Sequence, residues 1–208
     1  MFGIGGQLVL TMQEWLKYKL YIFDLDDTLY RETDYLFAAY RRIAHKAADA
    51  DDTREIEYWR YLCNSFMVDG RELLFQRFQS KYSLQMDVAQ MLSILHHTEC
   101  KLKLFPSARH LVNQLLINNK NVAILTNGNT EQQKQKVINL NIRQIWPQVT
   151  IVYAGEIAPK PSPIPIQQLM VQYQTQPSET IFIGDSVTDE QTSLNAGIDY
   201  IKACYLIK

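Results

Sequence analysis

The chain has 208 residues, of which 47% are hydrophobic and 21% charged, a balance typical of a globular protein with a substantial core. Its formal net charge at pH 7 is -1, so no basic excess is available to neutralise a phosphate backbone, and we expect no nucleic-acid partner. Three irregularly spaced cysteines, Cys63, Cys100 and Cys204, fit neither a disulfide framework nor a zinc site and indicate buried free thiols in a reducing cytoplasm.

Residues 1–18 are predicted to be an N-terminal extension. Within it, residues 1–11 fit either a disordered segment or a stretch upstream of a start at Met12. The segment lacks the basic start and the cleavage site of a signal peptide, and no apolar run reaches the length of a membrane span. We therefore expect a cytoplasmic protein without a membrane partner.

The first predicted strand covers residues 19–24, a short β-prone run that ends in carboxylates and is typical of a buried parallel strand. Over residues 33–97, apolar and aromatic residues recur at helical spacing. Breakers near 51–52, 69–70 and 81–83 divide this segment into four helices without a strand.

After this segment, predicted helices and strands alternate. The predicted strands are 121–125, 149–153, 180–183 and 200–203, and the predicted helices are 106–119, 130–140, 164–173 and 188–196. Such alternation predicts an α/β fold with a doubly wound parallel sheet. Trp146 and Pro147 precede the strand at 149–153, so its pairing could be irregular.

Polar residues follow four of the predicted strands, where a parallel sheet places its ligand crevice. The first strand runs into Asp24, Asp26 and Asp27, and the strand at 180–183 runs into Asp185, with Asp189 four positions later. Carboxylates placed directly after an apolar strand are costly unless a cation or hydrogen bonds compensate them. The alternatives are an acidic surface turn at the first strand and, for Asp189, a helix-dipole residue.

The other two strand ends carry groups suited to an anion. Thr126, Asn127 and Gly128 could offer hydroxyl and backbone donors at the start of a helix, or could form a plain turn. Lys160 lies between two prolines that restrict the backbone, so it could present its ammonium group to a phosphate, or could be an ordinary exposed lysine.

Taken together and in this order, these residues resemble the four motifs of the haloacid dehalogenase superfamily. They are Asp-x-Asp-x-Thr at 24–28, Thr126, Lys160 and Gly-Asp-Ser-x-x-x-Asp from 184. The resemblance covers residues 19–203. It implies a Rossmann-like core formed by 19–32 and 99–208, with an α-helical cap at 33–98.

The resemblance also implies a Mg²⁺-dependent phosphatase that acts on a small phosphorylated metabolite. Asp24 would be the nucleophile that forms an aspartyl-phosphate, and Asp26 would be the general acid and then the general base. The residues expected to grip the phosphate are Thr126, Asn127, Gly128 and Lys160.

For the metal, the implied ligands are Asp24, Asp185 and the backbone carbonyl of Asp26, with Asp189 supporting the metal waters or Lys160. Arg31, Glu32, Tyr35 and Arg71 are candidates for choosing the leaving group, although each also fits a surface or packing role.

Three other functions compete with this hypothesis. A dehalogenase is disfavoured because dehalogenases of the family have no aspartate at the position of Asp26, a halide needing no proton. A sugar-phosphate mutase keeps both aspartates and is the nearest enzymatic alternative. A binding or scaffold protein that lost the reaction is disfavoured because all the motif residues are present. A monomer or weak homodimer is the default expectation.

Overall fold

Five parallel strands form a single sheet in the order β3-β2-β1-β4-β5 in the computed structural model, which describes residues 16–205. The strands are β1 (Leu20–Phe23), β2 (Asn121–Thr126), β3 (Thr150–Tyr153), β4 (Thr180–Gly184) and β5 (Asp199–Lys202). Each lies within one residue of its predicted bounds. β1 and β4 are buried throughout, as expected of central strands covered by helices on both faces.

The register aligns the ends of the three central strands. Phe23 of β1 lies opposite Ile124 of β2 and Ile183 of β4, so the residues that follow β1 and β4 leave the sheet at the same edge. β3 pairs with β2 in regular parallel register, with Thr126 opposite Tyr153. The irregular pairing considered for β3 is therefore not found.

α-Helices make up most of the rest of the described chain. They are α1 (Glu32–Ala48), α2 (Asp52–Asp69), α3 (Leu74–Tyr82), α4 (Val88–His96), α5 (Pro106–Ile117), α6 (Thr130–Asn139), α7 (Ile142–Ile145), α8 (Ile164–Tyr173) and α9 (Val187–Ala196). The four predicted helices between β1 and β2 are confirmed as α1–α4. The short helix α7 was not predicted, because four residues are too few to establish a helical period.

Alternate residues of β1 enter two different hydrophobic clusters. Tyr21 and Phe23 belong to a large cluster that includes Val112 of α5. Leu20 and Ile22 belong to a smaller cluster on the opposite face of the sheet, which α8 helps to form. This period of two is what a strand buried on both faces requires. The sheet is thus packed between two layers of helices, which fixes the position of its edge.

The helical block α1–α4 shares the larger cluster, since Tyr40 and Ile43 of α1 are buried in it together with the sheet residues. Within the block, the ring of Tyr58 lies 5.4 Å from that of Phe78 and 4.5 Å from that of Tyr82. The division into core and cap domains at 33 and 98 stays a prediction.

The N-terminal extension lies mostly outside the described residues, which begin at Leu16. Tyr18 is buried, and its ring stands edge-on to that of Tyr21 at 5.9 Å. Cys63, Cys100 and Cys204 are free, as predicted, but they are partly exposed and not fully buried. Within residues 16–205, no helix combines the length and apolar character needed to cross a membrane.

Candidate active site

Four of the five strands deliver polar side chains to one edge of the sheet. Asp24 follows β1, and its N–H donates to the carbonyl of Ile183 at 2.9 Å, which fixes it beside β4. Thr126 is the last residue of β2, Lys160 lies in the loop after β3, and Asp185 follows β4. Residues far apart in the sequence meet here because parallel strands end at a common edge.

Lys160 is a buried cation at this edge, with 7% of its surface exposed. Its Nζ donates to Oδ1 of Asp24 at 2.6 Å and to Oδ1 of Asp189 at 2.5 Å. Burial acts to lower the pKa of Lys160, but the two carboxylates outweigh it and raise that pKa above its ordinary value. The ammonium group therefore stays charged, and the interpretation of Lys160 as an exposed loop lysine is wrong.

The acids around Lys160 outnumber the positive charge that it supplies. Burial raises the pKa of Asp24 to about 7; the charges of Asp189 and Asp26 act in the same direction and Lys160 opposes them. Burial also raises the pKa of Asp185 to about 6, with help from the charges of Asp189 and Asp27. A site this rich in negative charge needs another cation before it can accept a phosphate dianion.

Asp189 is committed to contacts within the protein. One carboxylate oxygen accepts from Lys160, and the other accepts from the hydroxyl of Ser186 at 2.7 Å and from its N–H at 3.1 Å. This is a capping box at the start of α9. Gly184 makes room for it, because a Cβ there would lie 2.6–2.7 Å from atoms of the Asp189 side chain. Asp189 thus lies in the first turn of α9, as the helix-dipole alternative expects, but it is also fully buried and contacts Lys160. At the first strand, Asp24 is buried, so the surface-turn alternative is wrong for it.

A divalent cation fits the acids that remain. In the described part of the chain, ligand atoms of Asp24, Asp185 and Asp189 lie within 4.8 Å of one another. Since both oxygens of Asp189 are already engaged, Asp24 and Asp185 are the better candidates for direct ligands. Two carboxylates plus backbone carbonyl and water oxygens form a donor set that suits Mg²⁺.

The turn after β2 holds the predicted phosphate-binding residues. The hydroxyl of Thr126 is buried and donates to Oε1 of Gln133 at 2.9 Å, while Oδ1 of Asn127 accepts from the N–H of Lys160 at 3.2 Å. Gly128 has a φ of 114°, a conformation that favours glycine. Asn129 caps α6 by accepting from the N–H of Gln132. The turn is therefore joined to the Lys160 loop, and its helix begins beside the site.

Asp26 is held by residues that the sequence analysis did not single out. Nζ of Lys136 lies 2.8 and 2.7 Å from its two carboxylate oxygens, and the hydroxyl of Tyr30 donates to it at 2.6 Å. Nε2 of Gln133 donates to it at 3.2 Å. With its side chain engaged in this way, Asp26 has only its backbone carbonyl to offer a metal. The sequence carries one indication of these contacts: Gln133 and Lys136 are polar and lie three positions apart on the helix that follows Thr126.

The four residues considered as candidates for choosing the leaving group have different surroundings. Tyr35 is buried and donates to the carbonyl of Leu95 at 2.6 Å, which is a packing role. Glu32 pairs with Arg71 at 2.7 Å and with Lys136 at 3.3 Å, so it connects the α2–α3 turn to α6. Arg31 is exposed and lines a surface pocket to which Asp27 and Asp185 also contribute.

The polar residues at the strand ends surround an open cavity of about 230 Å³ at the sheet edge. Its lining residues are Asp24, Asp26, Asp27, Glu32, Asn127, Lys160, Asp185, Ser186 and Thr188. The motif residues Asp24, Asp26, Lys160 and Asp185 are thus brought together, while Thr126 lies just behind the surface and is 1% exposed. The size suits a phosphate with a small leaving group.

The sequence profile of the haloacid dehalogenase-like hydrolases matches residues 21–203 of this chain. No curated protein matches it in sequence. Among solved structures, YfnB of Bacillus subtilis, crystallised with magnesium, is 19% identical, with a TM-score of 0.61 over 88% of this chain and 86% of that one.

Two further structures show how varied the similar proteins are. A protein from Lactobacillus plantarum, provisionally named a phosphoglycolate phosphatase, is 20% identical, with a TM-score of 0.58 over 91% of this chain and 87% of that one. L-2-haloacid dehalogenase from Xanthobacter autotrophicus is 16% identical, with a TM-score of 0.55 over 88% and 76%. Identities this low establish the shared fold and leave the reaction open.

Proposed function

The chain belongs to the haloacid dehalogenase-like hydrolase family, and we propose that it is a Mg²⁺-dependent phosphatase that hydrolyses a small phosphorylated metabolite through an aspartyl-phosphate, the acyl phosphate formed on Asp24. The observation that carries the proposal is that Asp24, Asp26 and Lys160 line one small cavity. A nucleophile, a second carboxyl group for the leaving oxygen and a fixed cation for the phosphate are the parts that the reaction needs.

The second carboxyl group favours phosphate esters over haloacids. A halide leaves as a stable anion, whereas an alkoxide leaving group needs a proton. Asp26, which lines the same cavity as Asp24, would supply that proton. In the first step an oxygen of Asp24 bonds to phosphorus, the ester P–O bond breaks, and its oxygen takes the proton from Asp26. In the second step Asp26 removes a proton from water as the water oxygen attacks phosphorus, and Asp24 and inorganic phosphate are released.

The remaining residues hold the phosphate. Lys160, fixed by Asp24 and Asp189, presents its positive charge to the phosphate oxygens. The turn at Asn127 and Gly128 supplies polar groups at the start of α6, and Thr126, at the end of β2, would turn its hydroxyl from Gln133 to a phosphate oxygen. These contacts are strongest on the charged transferring group, which is where catalysis needs them.

Mg²⁺ would be held by Asp24, Asp185 and the backbone carbonyl of Asp26. When bound, it would neutralise charge on the transferring phosphoryl group. Asp189 would act indirectly, by fixing Lys160 and the start of α9.

The test is phosphate release from p-nitrophenyl phosphate and a panel of phosphorylated metabolites, measured with Mg²⁺, with EDTA, and with Asp24→Asn. We expect release that depends on Mg²⁺ and that falls at least about 10³-fold in the variant, because no nucleophile remains. Asp34→Asn, on the exposed side of α1, is the matched control and should keep full activity. Folded protein that releases no phosphate from any ester would contradict the proposal and favour phosphoryl transfer between hydroxyls, or binding without reaction.

A further inference from the structure

Lys136 is an almost fully buried lysine that the mechanism above does not use. It lies on α6 with 1% of its surface exposed, and Gln133, one turn earlier on the same helix, is 4% exposed. A buried ammonium group is costly unless charged partners compensate it. The helix could have placed apolar side chains here, so the partners of Lys136 indicate what it is for.

Those partners converge on one carboxylate. Nζ of Lys136 lies 2.8 and 2.7 Å from the two oxygens of Asp26, and it reaches Glu32 at 3.3 Å. The hydroxyl of Tyr30 donates to Oδ1 of Asp26, and Nε2 of Gln133 donates to Oδ2. A carboxylate with donors on both oxygens cannot rotate without breaking several bonds, so the orientation of Asp26 is set mainly from α6.

The same helix also contacts the phosphate-binding turn. The amide of Gln133 accepts from the hydroxyl of Thr126 at 2.9 Å and donates to Asp26 at 3.2 Å. Because α6 starts directly after this turn, one rigid element sets the position of Asp26 relative to the residues expected to grip the phosphate. Lys136 is the charged part of that connection.

We propose that Lys136 is a positioning residue: it binds the ionised carboxylate that Asp26 becomes once its proton has passed to the leaving oxygen, and so holds the group in the orientation for that transfer. This inference rests on the phosphatase function proposed above. Lys136 does not line the cavity and has no place beside the substrate. Without it, Tyr30 and Gln133 still bind Asp26, but the bidentate contact that aims the group is lost, and delivery of the proton to the leaving oxygen suffers.

The test compares phenyl phosphate with p-nitrophenyl phosphate as substrates of Lys136→Met. The two esters have the same ring, but phenolate is the stronger base and needs the proton of Asp26 far more. Since kcat/KM reports formation of the aspartyl-phosphate, we expect a loss of about 10²-fold for phenyl phosphate and of less than about tenfold for p-nitrophenyl phosphate. In an Asp26→Asn background, Lys136→Met should change kcat/KM by less than about threefold, because the two residues act as a unit.

Lys136→Arg and Lys136→Gln accompany the first variant, so that the comparison does not depend on one protein folding. Arginine keeps the charge, so Lys136→Arg should retain most of the wild-type ratio of kcat/KM between the two esters. Lys136→Gln should behave like Lys136→Met. The matched control is Lys134→Met on the same helix, whose lysine is partly exposed and pairs with Glu156, and it should change neither rate.

Equal losses of kcat/KM for the two esters would overturn the inference. So would a loss on Lys136→Met that is as large in the Asp26→Asn background as in the wild type. Either result would leave the phosphatase function intact. A wild-type protein that cleaves neither ester, even with Mg²⁺, would instead contradict the phosphatase function, and the inference would fall with it. A structural role alone predicts lower thermal stability with an unchanged ratio between the two esters, which also counts against positioning.

Discussion

The ammonium nitrogen of Lys160 lies 2.6 Å from Oδ1 of Asp24, although 136 positions separate the two residues in the sequence. The same nitrogen contacts Asp189, so one buried cation serves two buried carboxylates. The contact joins the ends of two strand–loop segments and places a fixed positive charge beside the proposed nucleophile. Stability and function therefore depend on the same group, which leads to the first prediction.

Replacement of Lys160 by methionine should destabilise the protein more at pH 8 than at pH 6. At pH 8 the substitution leaves Asp24 and Asp189 buried without their cation, and loss of one partner of a buried pair costs about 3–5 kcal/mol. At pH 6 the cost should be smaller, because the pKa of Asp24 is already raised to about 7 and the group takes up a proton. Urea unfolding at the two pH values measures the difference, and an equal loss at both would contradict it. Lys134→Met, which removes a partly exposed lysine, is the control.

Without metal, the wild-type protein should become more stable as the pH falls from about 8 to about 5. The folded-state pKa values of Asp24 and Asp185, about 7 and about 6, lie above the ordinary value of 3.8. The folded state therefore binds more protons than the unfolded state in this range, so the free energy of unfolding decreases as pH rises.

Mg²⁺ should reverse this trend, since it binds the ionised carboxylates and competes with protons. Thermal unfolding midpoints measured across this pH range, with EDTA and with Mg²⁺, test both statements. Asp24→Asn should weaken the pH dependence in EDTA. A midpoint in EDTA that rises from pH 5 to pH 8 would show that the acid cluster does not behave as described.

Gly184→Ala should cost both stability and activity. The added Cβ would lie 2.6–2.7 Å from side-chain atoms of Asp189, so that side chain must move away from Lys160 and Ser186. We expect a loss of about 2–3 kcal/mol, as for overpacking of a core, together with reduced phosphate release. Urea unfolding and the release assay measure the two effects.

The matched control for this substitution is Gly197→Ala, at the end of α9. Its added Cβ meets nothing within 4 Å, although its φ of 70° favours glycine. It should cost about 1–2 kcal/mol of backbone strain and leave phosphate release unchanged. Equal effects of the two substitutions on activity would mean that the fit between Gly184 and Asp189 is unimportant.

Asp27→Ala should weaken the start of α1 without removing the chemistry. Oδ1 of Asp27 accepts from the N–H of Glu32 at 3.0 Å, and Arg31, at the N-cap position, provides no side-chain cap. Asp27 also has a φ of 49°, which aspartate tolerates better than alanine. We expect a loss of about 1–2 kcal/mol by urea unfolding. Asp27→Asn keeps an acceptor oxygen and should cost much less; equal losses would rule out the capping role.

The elements and the main site residues were predictable because their signals are local or topological. The short β-prone apolar runs at β1 and β4 predict buried strands, and the strand–helix alternation predicts a parallel sheet. The order of the strands in that sheet was not predicted and comes from the structure. Asp24, Thr126, Lys160 and Asp185 each come at or after a strand end, and parallel strands end at one edge. Their meeting therefore required no knowledge of side-chain packing.

The tertiary structure alone determined how Asp26 is held. Helix α6 has the sequence Thr-Glu-Gln-Gln-Lys-Gln-Lys-Val-Ile-Asn, which is polar at nearly every position and does not reveal its buried face. Packing buries Lys136 and leaves Ile138 64% exposed, the reverse of what hydrophobicity predicts. The reason is electrostatic: the carboxylates of Asp26 and Glu32 compensate a buried ammonium group, and only the rotation of α6 against the β1 loop brings those charges together.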